Sequence, residues 1–346
     1  MTESLSLGIC ALGRAIDARG MPLDGGPPPR GRSVSLTPCV PRPDERAPIV
    51  LPLWTGIRVL DGLLTIGRGA RIGIFGGPGT GKSTLIEAIV AGCAADAIVV
   101  ALVGERGREA QGWIERRNAW TTVVCATSDR PPGERLRAAG IAVAHAGALR
   151  ERGLDVLLVL DSLARVASAS REIRVAAGEG SGRAGYPPGV FADLARLVEV
   201  AGALRDGSIT LIASVIHDGD DRDPVSEAAR SLLDGHVALS ARLAQAGRFP
   251  AVDLLASTSR TMEAVAEPHH VRAARVVRRA VALLERTEDG RALGVEPDDE
   301  PSRVAIAGEG RIEAFLRQGG GPVEPASTLR ELAELVGLLE DGDGNS

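Results

Sequence analysis

An α/β layered domain on a mostly parallel sheet is the fold class this sequence predicts, and three observations predict it. From Leu51 onward, short apolar runs rich in β-branched residues alternate with amphipathic stretches. Runs that are apolar throughout suit parallel strands buried on both faces, and their β-α-β-α order suits helical crossovers between them. The third observation is the stretch Gly76-Gly77-Pro78-Gly79-Thr80-Gly81-Lys82-Ser83. It fits G-x-x-x-x-G-K-[ST] at every fixed position and lies between a strand pattern at 71–75 and a helix pattern at 84–90.

Taken in order, residues 1–50 are rich in Pro, Gly and Arg, and 25–32 contain nothing else, so this part reads as a flexible or polyproline-like linker. Strands are expected at 71–75, 98–103, 121–126, 155–161, 208–215 and 252–256. Helices are expected at 84–90, 108–118, 134–151, 162–176 and 188–205. Beyond Met262 the strand patterns stop. Helical patterns at 271–286 and 327–339 flank an acidic segment with Gly and Pro at 288–301, which predicts a small helical domain. The chain therefore divides into 1–50, 51–265 and 266–346, with no internal repeat.

Composition narrows the class. The chain has 346 residues, 44% apolar and 25% charged, as expected of a globular protein with a sizeable core. Aromatic residues are only 2%, so Leu, Val, Ile and Ala must build that core. A net charge of −5 argues against a broad nucleic-acid surface. Cys10, Cys39, Cys93 and Cys125 show no metal spacing and read as reduced thiols of a cytoplasmic chain. His269 and His270 adjoin, but neighbours on a helix point to different faces. The N-terminus lacks the basic segment of a secretory signal, and the longest apolar candidate, 88–103, is broken by Asp96.

The chemistry starts from the glycine-rich loop. Its glycines let the backbone fold tightly, so that several N–H groups can point at phosphate oxygens, and the following helix adds its positive dipole end. Gly76, Gly77, Pro78, Gly79, Thr80, Gly81, Lys82, Ser83 and Thr84 are thus expected to bind the nucleotide. Lys82 would reach its β- and γ-phosphates, and the Ser83 hydroxyl would ligate Mg²⁺. Asp161 ends the apolar run 155–160, where a carboxylate downstream of such a loop holds Mg²⁺; an Asp there also serves as a helix cap. Gly104-Glu105-Arg106-Gly107-Arg108-Glu109 follows the strand at 98–103. Loops at that end of a parallel sheet line the ligand crevice, so Glu105 is placed either to polarise a water or to form a charged surface turn.

These residues carry a resemblance. The sequence resembles the ATPases of type III secretion systems, in the family shared with the flagellar export ATPase and the rotary F-type ATPase subunits. Pro52-Leu53-Trp54-Thr55-Gly56-Ile57 is similar to that family's approach to the loop, and 104–109 to its catalytic loop. Asp161-Ser162-Leu163-Ala164-Arg165, Ala176-Ala177-Gly178-Glu179, Gly185-Tyr186-Pro187-Pro188-Gly189-Val190-Phe191, Asp218-Gly219-Asp220-Asp221, Leu233-Asp234-Gly235-His236 and Leu255-Ala256-Ser257-Thr258-Ser259-Arg260 follow in family order. The resemblance covers 51–265 strongly and the flanks loosely. It departs at Ala164, where the family has Thr, at Val166, where it has Phe, and at Ala228, where an acid is expected.

What the resemblance implies is an ATPase that hydrolyses ATP with Mg²⁺ to energise protein export. It implies a RecA-like core over 51–265 and a C-terminal helical domain, with the family's N-terminal β-barrel largely missing. Lys82, Glu105 and Arg260 become the catalytic residues: Glu105 activates the water and Arg260 is an arginine finger reaching a neighbour's γ-phosphate. Ser83 and Asp161 become the Mg²⁺ ligands. The segment 178–186 would face a central channel. The implied partners are copies of the chain in a hexameric ring, weakened by the short N-terminal part, with a central stalk, a negative regulator and chaperone–substrate complexes. The protein would be cytoplasmic and peripheral to the membrane through the apparatus, with no nucleic acid. Alternatives from other classes are a degenerate or non-catalytic ring subunit and a Rho-like nucleic-acid translocase.

Overall fold

The apolar runs fold as strands because a sheet covered on both faces is the only place where they are dry. All seven residues of Ala97–Val103 and all six of Thr121–Ala126 are buried. In the computed structural model, which describes residues 3–37, 39–216 and 223–341, the chain forms two compact units. The first comprises Met1–Ile49, Arg68–Phe75 and Ala95–Gly235; the second comprises Val50–Gly67, Gly76–Ala94 and His236–Ser346.

In the first unit the strand order is Arg71–Gly76, Gly207–Ile216, Asp155–Asp161, Ala97–Val103, Thr121–Ala126, Ala15–Asp17. Asp155–Asp161 runs parallel to Gly207–Ile216 on one side and to Ala97–Val103 on the other. Ala97–Val103 is parallel to Thr121–Ala126, which is parallel to Ala15–Asp17. This is the expected α/β class with a mostly parallel sheet. Helices Gly107–Arg116, Pro132–Arg150, Leu163–Ala176, Pro188–Glu199 and Pro224–Leu232 belong to the same unit. Small residues on Pro132–Arg150 (Ala138, Ala139, Ala142 and Ala146) pack with Val99, Val124 and Leu158 in one core built almost without aromatics.

Two expectations need correction here. The helix expected over 188–205 stops at Glu199. The chain then turns into a short strand, Gly202–Leu204, antiparallel to the start of Gly207–Ile216. The Arg46 guanidinium takes the helix-end carbonyls, donating to Glu199 O and Ala201 O, and Gly202 turns away at φ +145°, where a Cβ would lie 2.4 Å from Arg46 Nη1. The described residues of the N-terminal stretch, 3–37 and 39–49, are folded into the first unit, not strung out as a linker. Leu7, Ala11, Ile16 and Ala18 enter its core, Ser4–Ser6 pairs with Ser33–Ser35, and the Arg14–Asp24 ion pair at 2.7 Å closes the turn before 25–32. Short apolar clusters are hidden from a composition reading by the prolines and arginines around them.

In the second unit Gly235–Leu239 neighbours Val252–Ser259, and Pro52–Leu53 pairs with Ile66–Gly67. Helix Lys82–Gly92 follows the glycine-rich loop, and Arg58–Leu63 precedes it. Helices Pro268–Ala292, Glu300–Ala307, Glu309–Leu316 and Pro325–Asp341 form the C-terminal part. The second and third of these four fall where the sequence showed only an acidic segment and its surroundings. Their starts are marked by Asp299, which accepts from Ser302 N, and by Gly308. His270 Nε2 lies 2.8 Å from Gly62 O, so the long helix is bonded to the segment before the loop. Spatially, 236–346 therefore groups with 50–67 and 76–94, not with itself alone. No helix among the described residues is long and apolar enough to cross a membrane.

Candidate active site

The loop 76–83 is shaped by its own residues. Gly79 and Gly81 hold φ of +77° and +88°, a left-handed backbone that L side chains resist. Thr80 Oγ1 donates to Gly77 O at 2.9 Å, and a Cβ on Gly76 would sit 2.6 Å from that hydroxyl oxygen. Lys82 Nζ reaches back over the loop and donates to Gly76 O at 2.6 Å and Gly77 O at 2.9 Å. The ammonium is thus held over the loop, where it can exchange carbonyl oxygens for phosphate oxygens. Ser83 and Thr84 are exposed on the first turn of Lys82–Gly92, beside the helix N-terminus.

Glu105 follows the strand Ala97–Val103 through Gly104, whose φ is +71°. The side chain is 7% exposed. Arg165, on the first turn of Leu163–Ala176, forms an ion pair with it and also donates to Gly104 O, so one guanidinium fixes both backbone and carboxyl. Burial raises the Glu105 carboxyl to about 7; the nearby Asp161 charge and a hydrogen bond with Glu109 push the same way, and Arg165 opposes them. Asp161 ends the neighbouring strand and accepts from the Ser214 hydroxyl. The register explains that bond: Ala213 lies opposite Leu160, so Ser214 and Asp161 are the next pair along. Ser162, not Asp161, caps the following helix, accepting from Arg165 N at 3.4 Å. The first unit thus brings Glu105, Asp161, Arg165 and Ser214 together.

Arg260 follows the strand Val252–Ser259 in the second unit. On one side Ser259 Oγ donates to Thr65 O at 2.7 Å, and on the other Thr261 Oγ1 accepts from Gly67 N at 3.0 Å. The backbone on both sides of Arg260 is therefore held to the Ile66–Gly67 strand and its approach. Its side chain is exposed and makes no ion pair among the described residues.

Comparisons with known proteins converge on one relationship. Residues 56–259 match the model of the ATP synthase alpha/beta family, nucleotide-binding domain. The type 3 secretion system ATPase of Sinorhizobium fredii is 46% identical over 91% of this chain and 72% of the relative. The flagellum-specific ATP synthase of Bacillus subtilis is 42% identical over 97% of this chain and 79% of the relative. The chain belongs to the ATP synthase alpha/beta family. Within it, the ATPase groups with the type III secretion and flagellar export enzymes, and its core is RecA-like. A solved prototypical ATPase from the type III secretion system of pathogenic bacteria superposes with a TM-score of 0.91 at 38% identity, covering 96% of this chain and 99% of that one. The assembled EscN from enteropathogenic E. coli gives 0.92, at 38% identity over 96% of this chain and 83% of that chain.

Beside the loop, the second unit of the ATPase holds a largely apolar cavity of about 330 Å³, lined by Thr80, Thr84, Leu85, Phe249 and Pro250, with Gln318 at its polar side. Its size and lining suit a flat apolar ring. Gln318 is already committed: its Oε1 accepts from Arg58 N at 2.7 Å, and its Nε2 donates to Gly56 O and Gly321 O at 2.8 Å each. In the first unit, 178–186 is tied at both ends. Arg174 pairs with Glu179 at 2.7 Å and with Asp193 at 2.8 Å, and Arg171 donates to Gly185 O at 2.7 Å with its guanidinium 5.5 Å from the Tyr186 ring. Sequence reasoning missed Arg165, Ser214, Phe249 and Gln318 as site residues. Arg165 had a signal, standing four residues after Asp161 at the following helix start, and Gln318 ends the stretch 312–318 that resembles the family; Phe249 had none, because folding alone brings it to the loop. Of the acidic run Asp218, Asp220, Asp221 and Asp223, the first three lie outside the described residues, and Asp223 caps the helix Pro224–Leu232, accepting from Ser226 N at 2.9 Å.

Proposed function

We propose that the ATPase binds ATP with Mg²⁺ on 76–84 and hydrolyses it by a water that Glu105 deprotonates, with Arg260 completing the site of a neighbouring copy. The observation that carries this reading is Glu105 itself: a buried carboxyl at a strand end, held by Arg165, with its pKa raised to about 7. A general base works best when its pKa lies near the working pH. The donor set fits the metal, since the Ser83 hydroxyl and the Asp161 carboxylate are hard oxygen ligands of the kind Mg²⁺ takes. Bound with ATP, the ion would offset charge on the β- and γ-phosphates. Lys82 holds the γ-phosphate in place, the loop N–H groups orient it, and Glu105 takes the proton of the attacking water. Arg260 supports a role across an interface because it is exposed, fixed at its backbone and without an ion pair among the described residues.

The export role follows from the identity to secretion and flagellar ATPases. A ring of copies, a hexamer, around a central stalk is supported by the solved assembly of EscN and by its complex with the central stalk EscO, which matches with a TM-score of 0.90. A negative regulator and chaperone–substrate complexes complete the partners proposed, at the cytoplasmic side of the apparatus. The experiment is Glu105→Gln under single-turnover conditions. Nucleotide affinity stays within a few-fold while the rate falls ~10²–10⁴-fold, the worth of a general base. Equal losses of affinity and rate would show that Glu105 only shapes the loop.

A further inference from the structure

The first unit contains a cavity of about 220 Å³, lined by Arg32, Ser35, Cys39, Arg150, Glu151 and Val200 among others. Arg150 ends the helix Pro132–Arg150 and is 7% exposed. Its Nη1 donates to Val200 O at 2.7 Å, and its Nε is sealed from solvent without a hydrogen-bond partner. It makes no ion pair among the described residues, because the carboxylates around it are engaged elsewhere. Glu151 pairs with Arg32 at 3.3 Å, Glu199 pairs with Arg46 and Arg71, and Glu45 accepts from Arg42 N. Burial, with the Arg46 charge behind it, pulls the Arg150 pKa down. The carbonyls at the helix end offset only part of that charge.

A buried guanidinium with one acceptor and no ion pair among the described residues, in a cavity whose carboxylate, Glu151, is taken by Arg32, is an arrangement that recruits an anion. The cavity is smaller than the ~300–1,000 Å³ of ordinary ligand pockets, which limits the guest to a small group. We propose that this cavity binds a small multivalent oxyanion, phosphate or a phosphate-bearing group, with Arg150 as buried counter-charge and Arg32 at its exposed rim. Ser35 Oγ accepts from Thr37 N at 3.2 Å and keeps its own proton to donate to the guest. Nothing in the proposed hydrolysis uses these residues, so this is a second anion site, distinct from 76–84.

Cys39, exposed and lining the same cavity, reports on occupancy. The full chain is saturated with ADP and Mg²⁺ to fill the glycine-rich loop and alkylated with iodoacetamide, and each cysteine is followed by peptide mass spectrometry. Inorganic phosphate slows alkylation of Cys39 severalfold and saturably, while Cys93 is unaffected and chloride at the same ionic strength does nothing. Acetate in place of phosphate protects less, which separates a multivalent oxyanion from any carboxylate. Arg150→Met abolishes the protection. Should that variant fold poorly, Arg32→Ala, whose side chain is 70% exposed, shifts the half-protecting phosphate concentration upward. Equal slowing by chloride, equal slowing at Cys93, or protection that survives in Arg150→Met overturns the site.

Discussion

At Glu105, burial and the Asp161 charge act together, and the Arg165 ion pair only partly opposes them. A base held near pH 7 is half-protonated at neutrality, so kcat should rise with pH through about 7 and level above it. In Glu105→Gln that limb should vanish along with most of the rate, which a pH–rate profile of both proteins would show. The same residue has a stability consequence of opposite sense. Its carboxyl moves from an ordinary 4.5 in the unfolded chain to about 7 in the fold, so the folded state binds the extra proton. That contribution is full below 4.5 and is lost as pH rises through about 7. At pH 8, Glu105→Gln should therefore melt a few degrees higher than the parent, and an unchanged or lower Tm would mean that the carboxylate is not strained there.

Elements are held to one another by single buried polar side chains. His145, fully buried in Pro132–Arg150, accepts from Gly8 N at Nδ1 and lies 3.0 Å from Thr122 Oγ1 at Nε2, while Thr122 donates to Ala11 O. One neutral imidazole thus ties the N-terminal segment to a helix and a strand. Burial pulls its pKa down to about 4 from 6.5, so the unfolded chain takes the proton first as pH falls. The sign is opposite to that of Glu105: stability should drop between pH 6.5 and about 4, and His145→Gln should flatten that slope in chemical denaturation. A slope unchanged by the variant would place the proton elsewhere. The segment 178–186 depends on Arg174 in the same way, since both Asp193 and Glu179 raise its pKa by bonding to it. Arg174→Ala leaves Asp193 and Glu179 without that cation and should loosen the segment. Trypsin should then cleave faster after Arg183, an exposed residue inside that segment, and equal cleavage rates would show the anchor to be idle.

Arg260 and Lys82 belong to one chain but, on the reading proposed here, serve different sites in an assembly. Lys82→Ala removes the cation that meets the phosphates, and Arg260→Ala removes the finger, worth ~10³–10⁵ in kcat. Each alone should be inactive. Mixed, they should recover part of the activity, because some interfaces then join an intact loop to an intact finger. The rate per subunit of the unmutated protein should also climb with protein concentration. Co-assembled mixtures that stay inactive would mean that Arg260 acts within its own chain or not at all.

Much of this was legible in the residues themselves. The loop 76–83, the strand ends at Glu105 and Asp161, and the α/β class follow from local patterns: glycines where the backbone turns left-handed, a lysine at the helix start, and apolar runs that only a covered sheet can hide. Those signals are local because the forces behind them act over one turn or one strand. Other features depend on residues far apart in the chain, and no local pattern announces them. Arg165 clamps Glu105 and Gly104 from 60 residues away, Ser214 meets Asp161 through strand register, and Gln318 closes on Gly56 and Arg58 from the far end of the chain. Arg46, read in sequence as part of a linker, ends the helix at Glu199, and His145 seats a segment of Gly, Pro and Arg that looked unfolded. A buried donor or charge must find its partner wherever folding brings one, and it is that search, settled only in three dimensions, that raised the Glu105 carboxyl to about 7.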